Sequence, residues 1–382
     1  MNSPAKIRVL VVDDSVVVRR MLTSMLSTDP AIEVIGAAPN GKIALARIPQ
    51  YNPDCVILDV EMPELDGLQT LAELRKSWRT LPVIMFSTVT ERGAAQTLDA
   101  LTLGASDYVT KPSTNGGAAG QISKVIDDLI NKIKVHCGRP RETHAPARTV
   151  VGAPSIHTVP LPKVATPESN VEPTQAADVV AIGISTGGPN ALAVLMPSFP
   201  ANLSVPVLIV QHMPRLFTKL LAERLSEKAS VPITEAKPGE YLEPGHAYIA
   251  PGDYHMTIKR AGTRVVIETN QDPHENSCRP SADVMFRSVA RVYGSSALGV
   301  VMTGMGQDGL RGCEAIRGAG GRVLVQDEAS SVVWGMPGFV ARSGLAHAQI
   351  ALGELGSAIT LRVRKGTAVG SNRIAKSAGV AL

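Results

Sequence analysis

Aromatic residues are scarce in this chain of 382 residues: phenylalanine, tryptophan and tyrosine together make up 3%. Any core must therefore be built from Val, Leu, Ile, Met and Ala, and the hydrophobic content of 44% is ordinary for a globular protein. Cysteine is scarce as well. Cys55, Cys137, Cys278 and Cys313 are scattered and form no CxxC pair, which excludes a disulfide framework or a cysteine zinc site and points to reduced thiols in the cytoplasm. A large excess of one charge is missing: the net charge of +4 is small for this length and argues against a nucleic-acid binder. Long apolar runs are also missing. The N-terminus has acids within its first fifteen residues and no apolar h-region, so neither a signal peptide nor membrane insertion is expected.

What is present is α/β patterning in two stretches, and the length itself favours two cores over one. Within residues 1–137 the pattern predicts strands near 7–12, 32–36, 55–58, 83–86 and 108–110, with helices such as 67–76 and 123–134 between them. Alternating strands and helices imply a doubly wound parallel sheet with right-handed crossovers. Residues 138–177 hold seven of the 27 prolines and no sustained apolar period, which reads as a flexible linker. Patterning returns over 178–361 as a second doubly wound, Rossmann-like parallel sheet. The tail at 362–382 has five basic residues and no acid and is expected to be disordered.

In the second stretch three apolar runs, 179–184, 207–210 and 298–302, read as buried parallel strands. Just past them stand Ser185, His212 and Asp308. Chemistry in an open α/β sheet sits beyond the carboxyl ends of the strands, so residues 123 positions apart can share one crevice. Residues 183–188 (GISTGG) fit G-x-S-x-G, an elbow that lifts a serine hydroxyl out of the sheet. Such a turn equally cradles phosphate at a helix N-terminus. His212 is the partner that a serine nucleophile needs as base, and Asp308 is an orienting acceptor. The loop 303–309 (TGMGQDG) exposes backbone N–H groups that could receive an oxyanion. The order Ser…His…Asp disfavours the α/β-hydrolases, where Asp precedes His. His255 competes as the base. Asp283 is expected to help cap a helix starting near Ser281.

In the first stretch Asp13 and Asp14 end one strand and Asp59 ends another, flanking the switch point of a five-stranded sheet. Three carboxylates there repel unless a hard cation binds, and Mg2+ suits them. One carboxylate could act as nucleophile on phosphorus. Ser87 and Lys111 end two further strands and can hold phosphate oxygens.

VVDDS, LDVEMPELDG, FST and GASDYVTKP resemble the response-regulator receiver domain, a flavodoxin-like fold. The resemblance implies Asp59 as the phosphoacceptor, a histidine kinase as phosphodonor and Mg2+ held by Asp14, Asp59 and the Glu61 carbonyl, with Asp13 acting through water. It also implies Ser87 and Tyr108 as a switch pair and Lys111 as the phosphate contact. IGISTGGP, VQHMPRLFT, GHAYIAPGDYHM and GVVMTGMGQDG resemble the catalytic domain of the chemotaxis protein-glutamate methylesterase (CheB) family. That resemblance implies Ser185 as nucleophile, His212 as base, Asp308 as orienter and an oxyanion site at the backbone of Met305 and Thr186, with no cofactor. Methylated chemoreceptors are the implied substrates and deamidation of receptor glutamines the implied side activity. The expected setting is a cytoplasmic monomer. The rival reading is a non-enzymatic output module whose 183–188 turn binds a nucleotide or other phosphate.

Overall fold

The computed structural model describes residues 5–88, 90–112, 119–138 and 176–363. The expected linker and basic tail lie outside the described residues apart from their edges. The first unit runs β1 (Ile7–Val12), α1 (Val16–Leu26), β2 (Ile32–Ala38), α2 (Gly41–Tyr51), β3 (Cys55–Asp59), α3 (Gly67–Ser77), β4 (Val83–Ser87), α4 (Glu91–Thr102), β5 (Asp107–Thr110) and α5 (Ala119–Cys137). Its strands pair in parallel in the order β2-β1-β3-β4-β5. The order reverses between β1 and β3, and the pairing of Val12 with Leu58 brings Asp13 and Asp59 to the same end of the sheet. Sequence-local caps set the helix starts. The Ser15 hydroxyl accepts from Val18 N–H, and Asp66 and Gln69 form a capping box on α3.

The second unit runs β6 (Val179–Ile184), α6 (Gly188–Leu195), β7 (Val207–Gln211), α7 (Phe217–Lys228), β8 (Ile233–Glu235) and β9 (Ala247–Ile249). It continues as β10 (His255–Ala261), β11 (Arg264–Asn270), α8 (Ala282–Tyr293), β12 (Ala297–Val301), α9 (Leu310–Gly318), β13 (Arg322–Gln326), α10 (Met336–Arg342), β14 (Ala348–Ile350) and α11 (Leu352–Thr360). Seven strands form a parallel sheet in the order β14-β13-β12-β6-β7-β9-β8. β6 lies between β7 and β12, with Gly183 paired to Val210 on one side and to Val301 on the other. The antiparallel hairpin β10–β11 stands outside the main sheet, an addition to the expected all-parallel pattern.

Both faces of the second sheet are packed with aliphatic side chains. Ile182, Ile184 and Ile209 face one layer, and Ala181, Val210 and Val301 face Phe286 and Met285 of α8 in the other. Burying each large side chain is worth roughly 1.5–3 kcal/mol. A low aromatic count is therefore no obstacle to a stable core. The two units meet along α4 and α7, where Tyr108 stacks on Phe217 with ring centroids 5.0 Å apart. Among the described residues no helix is long and apolar enough to cross a membrane.

Candidate active site

The turn after β6 delivers Ser185. Gly187, at φ +76°, takes a backbone conformation that a side chain would strain, and a Cβ there would strike Val332. Ser185 N–H donates to Thr303 O (3.0 Å), and Ser185 O accepts from Gly188 N–H (2.7 Å) and from Gln211 Nε2 (3.1 Å). The backbone of the elbow is thus tied to both neighbouring strand ends. Gly304 packs so closely that a Cβ would meet Ser185 and Met336. Thr303 Oγ1 donates to Thr186 O (3.0 Å) and accepts from Val333 N–H (3.0 Å), joining the two loops on which Thr186 and Met305 sit.

His212 follows β7, and its Nε2 lies 2.8 Å from Asp308 Oδ2. Nδ1 is therefore the nitrogen not engaged by Asp308; Cys278 Sγ lies 3.5 Å from it, and among the described residues no hydrogen bond joins it to Ser185. Burial works to depress the imidazole pKa. Hydrogen bonds to Asp308 and Cys278, with the charges on both, outweigh it and raise the group above its usual value. Burial equally disfavours the Asp308 carboxylate, yet the His212 bond and charge, with donors at Ser281 and Ala282, bring it down to about 2.

Asp308 accepts from Ser281 Oγ (2.6 Å), Ala282 N–H (2.7 Å), Asp283 N–H (3.2 Å) and Asn276 Nδ2 (2.9 Å). It thereby caps α8 from outside the helix, while Ser281, the N-cap residue, makes no capping bond of its own. This corrects the expectation for Asp283. Its carboxylate accepts from Gly312 N–H (2.6 Å), so it serves the first turn of α9 and not that of its own helix. His255 is also corrected as a competitor. It is buried, its Nε2 lies 3.1 Å from Pro273 O, and its Nδ1 accepts from Ser281 N–H (3.2 Å), which leaves no nitrogen for a substrate.

Ser185, Thr186, His212, Met305 and Gly306 line one cleft of about 670 Å³, whose other wall is Tyr108, Lys132 and Asn276. Among the described residues, the N–H groups of Thr186 and Met305 donate no hydrogen bond within the protein. Sequence reasoning missed Asn276, Ser281, Thr303 and Gln211. Of these only Asn276-Ser277 carries a local signal, two turn-forming residues in a row.

In the first unit Asp13, Asp14 and Asp59 offer carboxylate oxygens within 4.8 Å of one another. Lys111 Nζ stands 2.9 Å from Asp13 Oδ2 and 2.8 Å from Asp59 Oδ2. Burial pushes the Asp59 carboxyl up to about 6 against the pull of Lys111, with the charge on Asp13 adding to the rise. Asp13 Oδ2 is buried, and apart from the ionic contact with Lys111 it has no hydrogen-bond donor. Crowded hard oxygens with an unmet acceptor fit a divalent cation. Ser87 does not face Asp59 in this state. Its hydroxyl donates to Gly93 O of α4 (3.1 Å). Tyr108 is buried between Lys132 and Phe217.

The CheB methylesterase family matches residues 180–359, and the response regulator receiver domain matches residues 9–122. A protein-glutamate methylesterase/protein-glutamine glutaminase of Trichodesmium erythraeum is 52% identical over 362 residues, covering 94% of this chain and 99% of the relative. One from a Nocardioides species is 47% identical, covering 94% and 96%. Among solved structures, the Thermotoga maritima CheB methylesterase catalytic domain is 36% identical over 50% of this chain and all of that one, with a TM-score of 0.48. The chain belongs to the CheB family, a receiver domain joined to a methylesterase domain.

Proposed function

We propose that this chain is a phosphorylation-controlled hydrolase that removes methyl esters from glutamyl side chains of chemoreceptors. Residues 1–137 act as the receiver and 178–361 as the hydrolase. The observation that carries this reading is the convergence of Ser185, His212 and Asp308 beyond adjacent strand ends, with His212 already bound to Asp308.

The ester carbonyl enters the crevice beside Ser185. Neutral His212 takes the hydroxyl proton at Nδ1 as Ser185 Oγ bonds to the carbonyl carbon. The oxyanion is received by the N–H groups of Met305 and Thr186. Collapse breaks the bond to the methoxy oxygen, which leaves as methanol with the proton from His212. Water then attacks the acyl-serine, giving its proton to Nδ1, and Ser185 is restored with a glutamate carboxylate released. A glutamine side chain follows the same route with ammonia as the leaving group. An anion cradle without chemistry would have no use for the His212–Asp308 pair, which disfavours the binding-module alternative. No cofactor enters at the hydrolytic site.

In the receiver, Asp59 takes a phosphoryl group from a histidine kinase. Mg2+ would be held by Asp14, Asp59 and the Glu61 carbonyl, with Asp13 through water, and would neutralise phosphoryl oxygens. Lys111 contacts the phosphate. Ser87 and Tyr108 respond as the switch pair, and Tyr108 conveys the change through its stack on Phe217. The chain acts as a cytoplasmic monomer; its free cysteines suit a reducing compartment.

Ser185→Ala is expected to abolish methanol release from methylated receptor while Asp59 still takes phosphate. Asp59→Asn is expected to keep basal release and lose stimulation by acetyl phosphate with Mg2+. Retained release in the serine variant would sink the hydrolytic reading, and retained stimulation in the other would move the phosphoacceptor elsewhere.

A further inference from the structure

Residues 273–281 bridge β11 and α8 and are pinned at both ends. Glu275 and Cys278 exchange two backbone hydrogen bonds, of 3.1 and 2.9 Å, around a two-residue turn. Both central residues are left-handed, Asn276 at φ +52° and Ser277 at φ +62°. That is the pattern of a type I′ turn, and asparagine tolerates it well. On one flank Arg287 of α8 grips the Glu275 carboxylate with two parallel bonds of 2.6 and 2.5 Å. On the other, Arg279 donates to Asp253 Oδ1 through Nε (3.1 Å) and Nη2 (2.7 Å). His255 ties the ends together through Pro273 O and Ser281 N–H.

What this anchored turn presents is the Asn276 amide. Its Nδ2 donates to Asp308 Oδ1 (2.9 Å) and to Asp283 Oδ2 (2.8 Å). Both partners are carboxylate oxygens, so the amide nitrogen and not its oxygen must face them. Asp283 is 1% exposed and Asp308 is 2% exposed. Two buried carboxylates this close repel, and a shared donor between them lowers that repulsion. With the donors from Ser281, Ala282 and Asp283, this bond helps set the rotation of the Asp308 carboxylate, leaving Oδ2 directed at His212.

We propose that Asn276 is a positioning residue for ester hydrolysis: its amide, held by the anchored 275–278 turn, bridges Asp308 and Asp283 and orients Asp308 toward His212. The proposal rests on the reading of Ser185, His212 and Asp308 as the hydrolytic triad. It acts through Asp308, so its loss changes kcat and leaves KM nearly unchanged.

Asn276→Gly removes the amide while keeping the left-handed backbone unstrained. With methylated receptor as substrate, kcat is expected to fall about 10- to 100-fold, the range for a lost outer-shell partner or a small misplacement. A purely structural role predicts no change in the pH profile. Here one is expected. Without the Asn276 donor Asp308 presents more negative charge to His212, the imidazolium holds its proton to higher pH, and the acidic limb of kcat/KM moves upward. Asn276→Ala removes the amide at the cost of some strain in the left-handed backbone, so the limb should move in the same direction. This second variant also serves if the glycine variant does not fold. Wild-type kcat and an unmoved acidic limb in whichever variant folds would overturn the proposal. Ser185→Ala, run alongside, separates the two ideas: if it retains methanol release the triad reading fails and the proposal with it, whereas if it is inactive and Asn276 variants behave as wild type only the proposal fails.

Discussion

At His212 burial and charge pull against each other, and in the proposed mechanism its protonation decides when the site can work. A general base must be neutral, so activity is lost as pH falls through the imidazole pKa. Asp308 and Cys278 hold that pKa above the usual ~6.5 against desolvation. The acidic limb of kcat/KM for methanol release is therefore expected above pH ~6.5, and a limb at or below that value would mean the pair does not form in the working enzyme. Asp308→Asn should lower the limb, because the charge favouring the imidazolium is gone. It should also lower kcat by as much as ~10⁴-fold, the effect of presenting the base in the wrong tautomer. That Ser185, His212 and Asp308 lie past strand ends was legible in the sequence because the apolar runs before them read as buried strands. Asn276, Ser281 and Thr303 were not. Their importance lies in which atoms they face across 27 to 117 positions, and nothing in local pattern encodes that.

At the scale of elements, strands β6, β7 and β12 were readable to within a residue because parallel strands buried on both faces leave continuous β-branched runs. The three-residue strands β8, β9 and β14 were not, since so few residues carry no period. The β10–β11 hairpin was also missed. Its buried residues Met256, Ile258 and Ile267 pack on α8 without a clean alternation, and its turn at Gly262 stands in a stretch of charged residues. The helix start at α8 shows a different limit. Ser281 has the residue type of an N-cap, yet the cap comes from Asp308, 27 positions away. In the proposed mechanism one side chain thus serves catalysis and fold together. Asp308→Ala removes the acceptor for Ser281 Oγ, Ala282 N–H and Asp283 N–H, and leaves His212 without its partner. Each buried donor left unmatched costs about 1–3 kcal/mol. Thermal unfolding of the hydrolase unit should fall by several degrees in Asp308→Ala and stay at the wild-type midpoint in Ser185→Ala, although both variants are inactive. Equal midpoints would show that the capping contacts contribute nothing to stability.

At the scale of the whole molecule, residues of the receiver line the cleft that holds Ser185, and the order receiver–hydrolase was legible. Which residues meet was not, because the contacts lie on outward faces of α4 and α7 that read as ordinary solvated helix surface. Arg224 reaches from α7 to Asp99 Oδ1 (2.7 Å) and to Ala95 O (2.7 Å), 129 positions back in the chain. Asn190 Nδ2 lies 3.5 Å from Ala105 O, and Tyr108 stacks on Phe217. Apolar side chains of the two units also join in one buried cluster, so Arg224 is one contributor among several to closure. The Asp99 side chain is 50% exposed and loses little on being left alone, so the net contribution of the Arg224 contacts to closure is about 1 kcal/mol. Because ~1.4 kcal/mol is a tenfold change in an equilibrium, Arg224→Ala should raise the open fraction about fivefold. Methanol release without phosphodonor should rise by about that factor, while the rate with saturating acetyl phosphate and Mg2+ stays unchanged, because the open state itself is not altered. Asp99→Ala should give a smaller rise, since Arg224 keeps its bond to Ala95 O. The double variant should then release methanol no faster than Arg224→Ala alone, as expected for two residues in one contact. An unstimulated rate that stays at wild type in Arg224→Ala would mean that closure is held by the Tyr108–Phe217 stack and not by the α4–α7 ion pair.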